Sequence, residues 1–426
     1  MMKKLLPFFG YLLLALPAVA QRDCRSFDYR QALLKNDPRL AVAVSAIEQF
    51  TREQIKSSTV TVTGGGQKAG SPALITIPVV VHIVYNNSNE NISDAQVQSQ
   101  IDVLNADYQK LNADTARIPG YFGSLSAASG FRFVLAGLDT NGVATTGITR
   151  RHTNIQAFAI NDDIKYSSKG GDDAWDRDHY LNIWVGSLAG GVVGYSSIAG
   201  GPKETDGIVV QYTAFGLKGS AIAPFNLGRT ATHETGHWLN LIHTWGDDSC
   251  GNDQVGDTPP QQAADYGNPS GMIVSCGNGP YGNMYMDFMD FTDDAGLNMF
   301  TYGQRDRMRA LFAPGGFRFP ILSSPAASVA AITTTGTTVA ATGNGGEVSL
   351  RMYPNPATTM VSVVMDNPAS LGAILDVFNQ VGQKVMSQRV TELTLQMDLS
   401  SLAGGVYFVR LRNTSSPGSF KLVKVK

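Results

Sequence analysis

The chain has 426 residues, of which 43% are hydrophobic and 16% are charged, and its formal net charge is −2. This length exceeds that of an ordinary single domain, so we expect two or three folded units joined by linkers. The near-neutral charge excludes an extended basic surface, and we expect no nucleic-acid partner.

Residues 1–20 have the order of a secretory signal peptide. Lys3 and Lys4 precede an apolar run at residues 5–16, and the small residues at 18–20 form a cleavage site. The apolar run is shorter than the roughly 20 residues of a membrane-spanning helix, and no later segment comes closer. We therefore expect export and no transmembrane anchor.

Residues 21–72 are predicted to be a removable propeptide and linker. Asp37 followed by Pro38 favours the start of a short helix with one apolar stripe. The segment is too small to fold alone. Residues 57–72 are rich in Thr, Gly and Ser, a composition typical of an exposed linker that is open to cleavage.

Residues 73–321 alternate between strand and helix patterns, which predicts an α/β domain. A β-branched run at residues 77–85 is followed by a helical pattern that Ser93 and Gln96 can cap. Further strands are predicted at 131–138, 181–185 and 208–211, and a second helix at 229–240.

The C-terminal part of the chain has a different pattern. Residues 322–347 are a run of Ser, Ala, Thr and Gly, which predicts a flexible linker. Residues 348–426 alternate short apolar runs with turn signals, the pattern of a small β-sandwich. We expect one large α/β domain followed by a smaller all-β domain.

The strongest chemical signal is a histidine cluster that begins in the second predicted helix. His233 and His237 form an H-E-x-x-H pattern, so their imidazoles share one helix face and can bind one zinc ion. A catalytic zinc site has three protein ligands and one position for water, and His243 is the candidate third ligand. Three of the six histidines of the chain lie in this run.

His243 can reach the metal only if the chain turns back, because a continuing helix would carry it away. Asn240 suits this turn, since Asn tolerates the left-handed conformation that ends helices. Glu234 lies beside the two helical histidines and is the candidate general base that activates a zinc-bound water. The pattern predicts hydrolysis of peptide bonds in protein or peptide substrates.

Two other functions fit a zinc site. One is a non-catalytic surface adhesin or interaction protein with a structural zinc, which would need a fourth protein ligand. The other is a hydrolase that acts on other amides. The remaining histidines stand singly in or beside apolar strands and are expected to be ordinary core or surface residues: His82, His152 and His179.

The chain has three cysteines and is predicted to enter an oxidising compartment. Cys250 and Cys276 flank a loop rich in Gly and Asp just after the histidines. We expect a disulfide between them that pins this loop. Cys24 is then the spare thiol.

Residues 233–246, which read H-E-T-G-H-W-L-N-L-I-H-T-W-G, resemble the extended zinc signature of the metzincins, and specifically of the pappalysin family. The resemblance implies a metzincin-type catalytic domain with a twisted mixed sheet, long helices and zinc in the cleft. Residues 288–301 resemble the Met-turn of the family, in which Met289 forms an apolar floor beneath the metal. Met286 is the competing register, and an ordinary core methionine is the alternative.

The resemblance also marks one departure and one latency device. Family members commonly carry a tyrosine two residues after the Met-turn methionine, where this chain has Phe291 and therefore no hydroxyl for an oxyanion. Cys24 resembles the propeptide thiol that occupies the fourth zinc position in zymogens of the family. A free or intermolecularly paired cysteine is the alternative.

Two further sites are implied by the resemblance. The loop after the third histidine is expected to bind calcium, with Asp257 and Thr258 as the preferred ligands and a solvated acidic loop without metal as the alternative. Ulilysin-like members favour a basic residue just after the cleaved bond. Asp293 or Asp294 could receive that residue.

Residues 348–426 resemble the C-terminal sorting domain of the type IX secretion pathway. The resemblance rests on Tyr-Pro-Asn-Pro at 353–356, Gly-Gly-Val-Tyr at 404–407 and a lysine-rich end at 420–426. It implies a partner in the secretion machinery and passage across an outer membrane, followed by release or surface attachment. Together these features predict a secreted zinc endopeptidase that is made as a latent precursor.

Overall fold

A computed structural model of the chain describes residues 21–60, 72–327, 350–353, 357–365, 370–379, 383–412 and 419–425. The chain divides into two compact units, Met1–Ile332 and Thr333–Lys426. The predicted signal peptide at 1–20 and most of the two predicted linkers lie outside the described residues. Within the described part, no helix is long and apolar enough to cross a membrane.

The described residues begin with two helices, which we call the N-terminal segment (residues 21–60). Helix α1 spans Ser26–Asn36 and helix α2 spans Pro38–Val60. Asp37 separates them, and its carboxylate accepts a hydrogen bond from the Arg39 backbone N–H (3.0 Å), as a helix N-cap does. The sequence predicts only one short helix here.

The core of the first unit is a six-stranded sheet with the order β2-β1-β4-β6-β5, in which β3 also pairs with β1. Its strands are β1 Ile75–Tyr85, β2 Phe131–Leu135, β3 Ile148–His152, β4 Leu181–Gly186, β5 Gly194–Ser196 and β6 Ile208–Gln211. All pairs are parallel except β5 with β6. The sheet is therefore mixed, and β5 is an edge strand.

The described residues of the first unit contain four further α-helices: α3 Asp94–Tyr108, α4 Gly120–Gly123, α5 Arg229–Trp238 and α6 Tyr302–Ala310. The Ser93 hydroxyl caps α3 by accepting from the Gln96 backbone N–H (3.2 Å). The Gln96 side chain does not complete the predicted capping box, because its amide donates to the Phe215 carbonyl (2.8 Å). This hydrogen bond ties α3 to the loop before α5.

Alternate residues of the strands face two different clusters, as the pleat requires. Ile183 and Val210 pack with Trp238 of α5 on one face. Trp184 and Val209 pack with Tyr195 of β5 on the other face. Helix α5 therefore lies on one face of the sheet, next to the edge strand β5.

Where the structure describes the second unit, its strands form two antiparallel sheets, with the orders β10-β9-β12-β13 and β11-β8-β7. Its strands are β7 Leu350–Tyr353, β8 Met360–Met365, β9 Ile374–Phe378, β10 Lys384–Arg389, β11 Thr394–Asp398, β12 Gly405–Arg412 and β13 Ser419–Lys424. Val363 and Met397 of one sheet share a core with Val377 and Val409 of the other. The predicted β-sandwich is confirmed.

Candidate metal centre

Three histidines converge at the C-terminal end of α5. His233 and His237 stand one helical turn apart, and their Nε2 atoms are 3.1 Å from each other. The Nε2 atom of His243 is 3.0 Å from that of His237, although it lies outside the helix. The rings of His233 and His243 are buried. The structure thus brings the three predicted ligand atoms to one point.

A sharp reversal after α5 makes this convergence possible. The helix ends at Trp238, two residues earlier than predicted, and Asn240 adopts the predicted left-handed conformation with φ 71°. The Leu241 backbone N–H then donates back to the Gly236 carbonyl (2.9 Å), a bond typical of a left-handed helix end. The next residues run back past the helix, so His243 returns to His237.

Each imidazole is held by its Nδ1 atom. His233 Nδ1 bonds to the Phe288 carbonyl (2.7 Å), His237 Nδ1 bonds to a carbonyl of the reversal (3.0 Å), and His243 Nδ1 bonds to Asp247. A carbonyl accepts, so the proton of these rings lies on Nδ1 and the Nε2 lone pair faces the centre. Burial lowers the pKa of His237 to about 3 and that of His233 well below its usual value. These rings are therefore neutral.

Met289 lies directly beneath α5. A Cβ atom on Gly236 would come within 2.4 Å of the Met289 sulfur, so only glycine allows this approach. Met286, the competing register, packs instead in a separate cluster with Phe122. The Phe291 ring lies 4.8 Å from the His243 ring and borders the cluster.

Glu234 is fully buried next to the histidines. One of its carboxylate oxygens accepts a hydrogen bond from the Ser26 hydroxyl (2.8 Å), and the other has no partner among the described residues. Burial raises the pKa of Glu234 to about 7. Burial therefore stabilises the protonated form of this carboxyl while the N-terminal segment covers it.

The N-terminal segment enters the centre through Cys24. Its sulfur lies 3.6 Å from His237 Nε2, and the four ligand atoms of Cys24 and the three histidines lie within 4.8 Å of one another. The backbone on either side of Cys24 pairs with the start of the edge strand β5. The Arg25 N–H donates to the Gly194 carbonyl (3.1 Å), and the Asp23 carbonyl accepts from the Val193 N–H just before the strand (3.1 Å). The segment therefore covers both the centre and the sheet edge.

Arg22 enters a buried acidic pocket. Its guanidinium donates to Asp294 at 2.5 Å, to the Thr230 hydroxyl at 3.0 Å and to the Thr292 carbonyl at 3.2 Å. Asp293, the other predicted specificity residue, instead accepts from Asn268 near the surface (3.2 Å). The two aspartates thus differ in burial: Asp294 lies in the buried pocket, and Asp293 lies near the surface.

Neither Arg22 nor Ser26 is predicted from the sequence, although each lies two residues from Cys24. Their contacts join positions more than 200 residues apart, which no local pattern reveals. The one sequence feature that could have indicated a role for Arg22 and Ser26 is their position beside Cys24, the predicted latency cysteine.

The loop after His243 contains the predicted disulfide between Cys250 and Cys276. The predicted calcium residues do not share a contact: Asp257 accepts from the Thr301 hydroxyl (2.7 Å) and the Gly303 N–H (2.9 Å) at the start of α6. The Thr258 hydroxyl donates to Asp253 instead (2.7 Å).

Comparison with known proteins gives matches to both units. Residues 165–313 match the family described as pregnancy-associated plasma protein-A, and residues 351–425 match the secretion system C-terminal sorting domain. An extracellular metalloprotease of Pyricularia oryzae is 31% identical over 261 residues, which cover 58% of this chain and 78% of that protein.

Two solved structures from Tannerella forsythia are also similar. Mature mirolysin in complex with a cleaved peptide is 46% identical, with a TM-score of 0.58, over 59% of this chain and 97% of that chain. A promirolysin variant is 41% identical, with a TM-score of 0.64, over 71% of this chain and 97% of that chain. The precursor thus matches a larger share of this chain than the mature enzyme does.

The fold and the histidine centre define a metalloendopeptidase of the metzincin class, a class that implies zinc. Among metzincins, the chain belongs to the pappalysin family. Its type IX sorting domain makes it a secreted or cell-surface protein that is exported across the outer membrane. The match to a family of proteases argues against the alternative function of a non-catalytic surface adhesin.

Proposed function

We propose that His233, His237 and His243 bind one zinc ion and that Glu234 is the general base of peptide-bond hydrolysis. The observation that carries this proposal is the approach of the His237 Nε2 atom to the Nε2 atoms of His233 (3.1 Å) and His243 (3.0 Å). Neutral imidazoles repel when their lone pairs face one another, and a cation removes that repulsion. Ligand atoms at 2.0–2.1 Å from a tetrahedral zinc are about 3.3 Å apart, so the residues fit this ion.

Zinc supplies Lewis-acid chemistry: it acidifies a water and polarises the carbonyl of the substrate. Glu234 takes the proton of the attacking water and delivers it to the leaving amine. The Phe291 ring packs against the rings of His233 and His243. Because it has no hydroxyl, it cannot donate a hydrogen bond to the oxyanion.

The N-terminal segment is the removable propeptide, and it blocks the centre at two atoms. The Cys24 sulfur takes the fourth ligand position, and the Ser26 hydroxyl holds the Glu234 carboxylate. Burial raises the pKa of the Cys24 thiol, so the metal is what would hold it as a thiolate. Cleavage of the segment frees both groups. Residues 1–20 remain a predicted signal peptide that precedes it.

Asp294 is the residue that selects a basic side chain after the cleaved bond. Its carboxylate is fully buried and already binds the Arg22 guanidinium. The Asp294 Oδ2 atom accepts from the backbone N–H groups of Leu227 (2.7 Å) and Arg229 (3.3 Å), whereas Oδ1 binds Arg22. Once Arg22 has left, the freed Oδ1 atom favours an Arg or Lys side chain. Arg22 thus occupies the pocket as a substrate side chain would.

Calcium binds in the disulfide-closed loop at Thr258, with Asp253 as the carboxylate. Burial raises the pKa of Asp253 to about 6, which a cation would reverse. The Val255 carbonyl lies beside them and accepts from the Thr258 hydroxyl (3.1 Å), which makes a third oxygen. Asp257 instead accepts hydrogen bonds from Thr301 and Gly303 and so joins the loop to the start of α6.

Replacing the base tests the catalytic proposal. Glu234→Gln should keep its zinc but lose casein cleavage by at least about 100-fold, because the amide cannot accept the proton. The variant and the wild type are compared after an added protease has removed the N-terminal segment. Glu204→Gln, at an exposed position, is the control and should cleave casein normally. Full activity of the Glu234 variant with zinc bound would contradict the proposal.

Replacing the switch cysteine tests latency. The Cys24→Ala precursor should cleave casein before its N-terminal segment is lost, or lose that segment faster than the wild type, because the fourth zinc position is open. Activity and the new N-terminus are followed over time at equal zinc content. A variant that stays as latent as the wild type would dismiss the switch.

The two aspartates offer a matched test of specificity. Asp294→Asn should lower the ratio of Arg to Leu cleavage in peptide libraries by about 10-fold or more, since one charge-assisted bond is lost. Asp293→Asn should leave that ratio unchanged. Equal cleavage of Arg and Leu peptides by the wild type would remove the idea.

Removing calcium tests the loop. EGTA should lower the Tm of the mature enzyme by about 5 °C, as expected when a tightly bound ion is lost. Asp253→Asn should abolish this difference, whereas Asp248→Asn, an exposed acid just before the disulfide-closed loop, should not. A Tm that calcium and EGTA leave unchanged in the wild type argues against the site.

A further inference from the structure

The N-terminal segment has a second buried anchor beyond the metal. Tyr29 of α1 packs against Tyr195 of β5, with the ring centroids 5.2 Å apart. It belongs to the cluster of Trp184 and Val209, on the face of the sheet opposite α5. Its hydroxyl donates to the Asp162 carboxylate (2.7 Å). Its partners are Asp162, Tyr195 and Lys165 rather than the groups of the metal centre, so the proposed blockage of the centre does not require it.

The pocket around Tyr29 has the groups that recognise a phenol. The Lys165 ammonium lies 5.1 Å from the centroid of the Tyr29 ring and 5.0 Å from that of Tyr195. It donates to the Thr205 carbonyl (2.8 Å) and lies 2.9 Å from Asp162. The cation thus faces the aromatic rings, and the carboxylate accepts from the hydroxyl.

The pocket also contains a polar group that Tyr29 does not use. The Tyr195 hydroxyl is buried close to the Asp162 backbone, without a hydrogen bond of normal geometry among the described residues. Buried hydroxyls are normally paired. The pocket can therefore form a further hydrogen bond with a ligand or with a water that accompanies it.

The pocket and the Asp294 site lie on opposite sides of Cys24 along the segment. Arg22 precedes Cys24 and binds Asp294, whereas Tyr29 follows Cys24 and binds Asp162. Between them the segment pairs with Gly194 of the edge strand. Removal of the segment uncovers both pockets and the edge together.

A substrate that pairs with this edge in an extended form presents alternate side chains to the two faces of the sheet. The side chain opposite Tyr195 then lies on the same face as the Tyr29 pocket. If Asp294 receives the residue after the cleaved bond, the substrate runs in the direction opposite to the N-terminal segment. The Tyr29 pocket then lies on the side of the residues that precede the cleaved bond.

We propose that the Tyr29 pocket, formed by Asp162, Lys165 and Tyr195, becomes a substrate subsite for a tyrosine or other aromatic side chain that precedes the cleaved bond. This inference rests on the proposed function, because the subsite opens only when the N-terminal segment is removed. The enzyme would then recognise two side chains, a basic one and an aromatic one, on opposite sides of the metal.

The test uses the mature enzyme and peptides that share Arg after the cleaved bond. Tyr, Phe or Ala is placed in turn at each position before that bond. At one of these positions, the peptide with Tyr should have a kcat/KM about 10-fold or more above that of the peptide with Ala. The reason is that the aromatic side chain is transferred from water into the pocket. Tyr should also exceed Phe, which cannot donate to Asp162. Equal rates for the three residues at every position would overturn the subsite.

A matched pair of variants links the effect to the pocket. Asp162→Asn should reduce the Tyr-to-Phe ratio by about 5-fold, because a hydrogen bond to a charged group becomes one to a neutral group. Asp163→Asn is the control, since that carboxylate pairs with Lys169 at the surface. A Tyr-to-Phe ratio that Asp162→Asn leaves unchanged would also contradict the proposal. Failure of the proposed function looks different, because no peptide and no casein would then be cleaved.

Discussion

The site depends on one constraint: three imidazoles must face one point although only two of them share a helix. The left-handed conformation of Asn240 ends α5 and reverses the chain, which returns His243 to within 3.0 Å of His237. Arg307 of α6 supports this reversal, because its Nε donates to the Asn240 carbonyl (2.7 Å). Packing of Met289 against Gly236 then fixes the base of the helix.

The N-terminal segment binds to the same features that a substrate would need. It pairs with the edge strand, places Cys24 at the histidines and brings Ser26 to Glu234. It also reaches the reversal itself, since Glu48 of α2 forms an ion pair with Arg307 (2.6 Å). In the proposed mechanism, one cleaved segment therefore releases the metal position, the base and the edge strand together.

Features set by nearby residues could be predicted from the sequence. The spacing of His233 and His237 and the turn at Asn240 depend on contacts within a few residues, and the Cys250–Cys276 pair closes a short loop. Edge strand β5 could not be found, because three residues carry too little pattern. Helix α6 is not among the predicted helices, although Thr301 and Gln304 have the spacing of the capping box that they form.

Long-range contacts set the limit of what the sequence reveals. The Arg22–Asp294 pair joins positions 272 residues apart, and the two aspartates 293 and 294 are equivalent until the fold buries one of them. The same holds for Thr258, which pairs with Asp253 rather than with its neighbour Asp257. Burial and pairing, which sequence spacing does not encode, decide these roles.

X-ray absorption at the zinc edge tests the central claim most directly. The precursor should show three imidazole nitrogens at about 2.0–2.1 Å and one sulfur at about 2.3 Å. The sulfur should disappear in Cys24→Ala and in the mature enzyme, while the three nitrogens remain. A His243→Ala precursor with the same zinc content and the same spectrum as the wild type would contradict the account, because residue 243 would then not bind the metal.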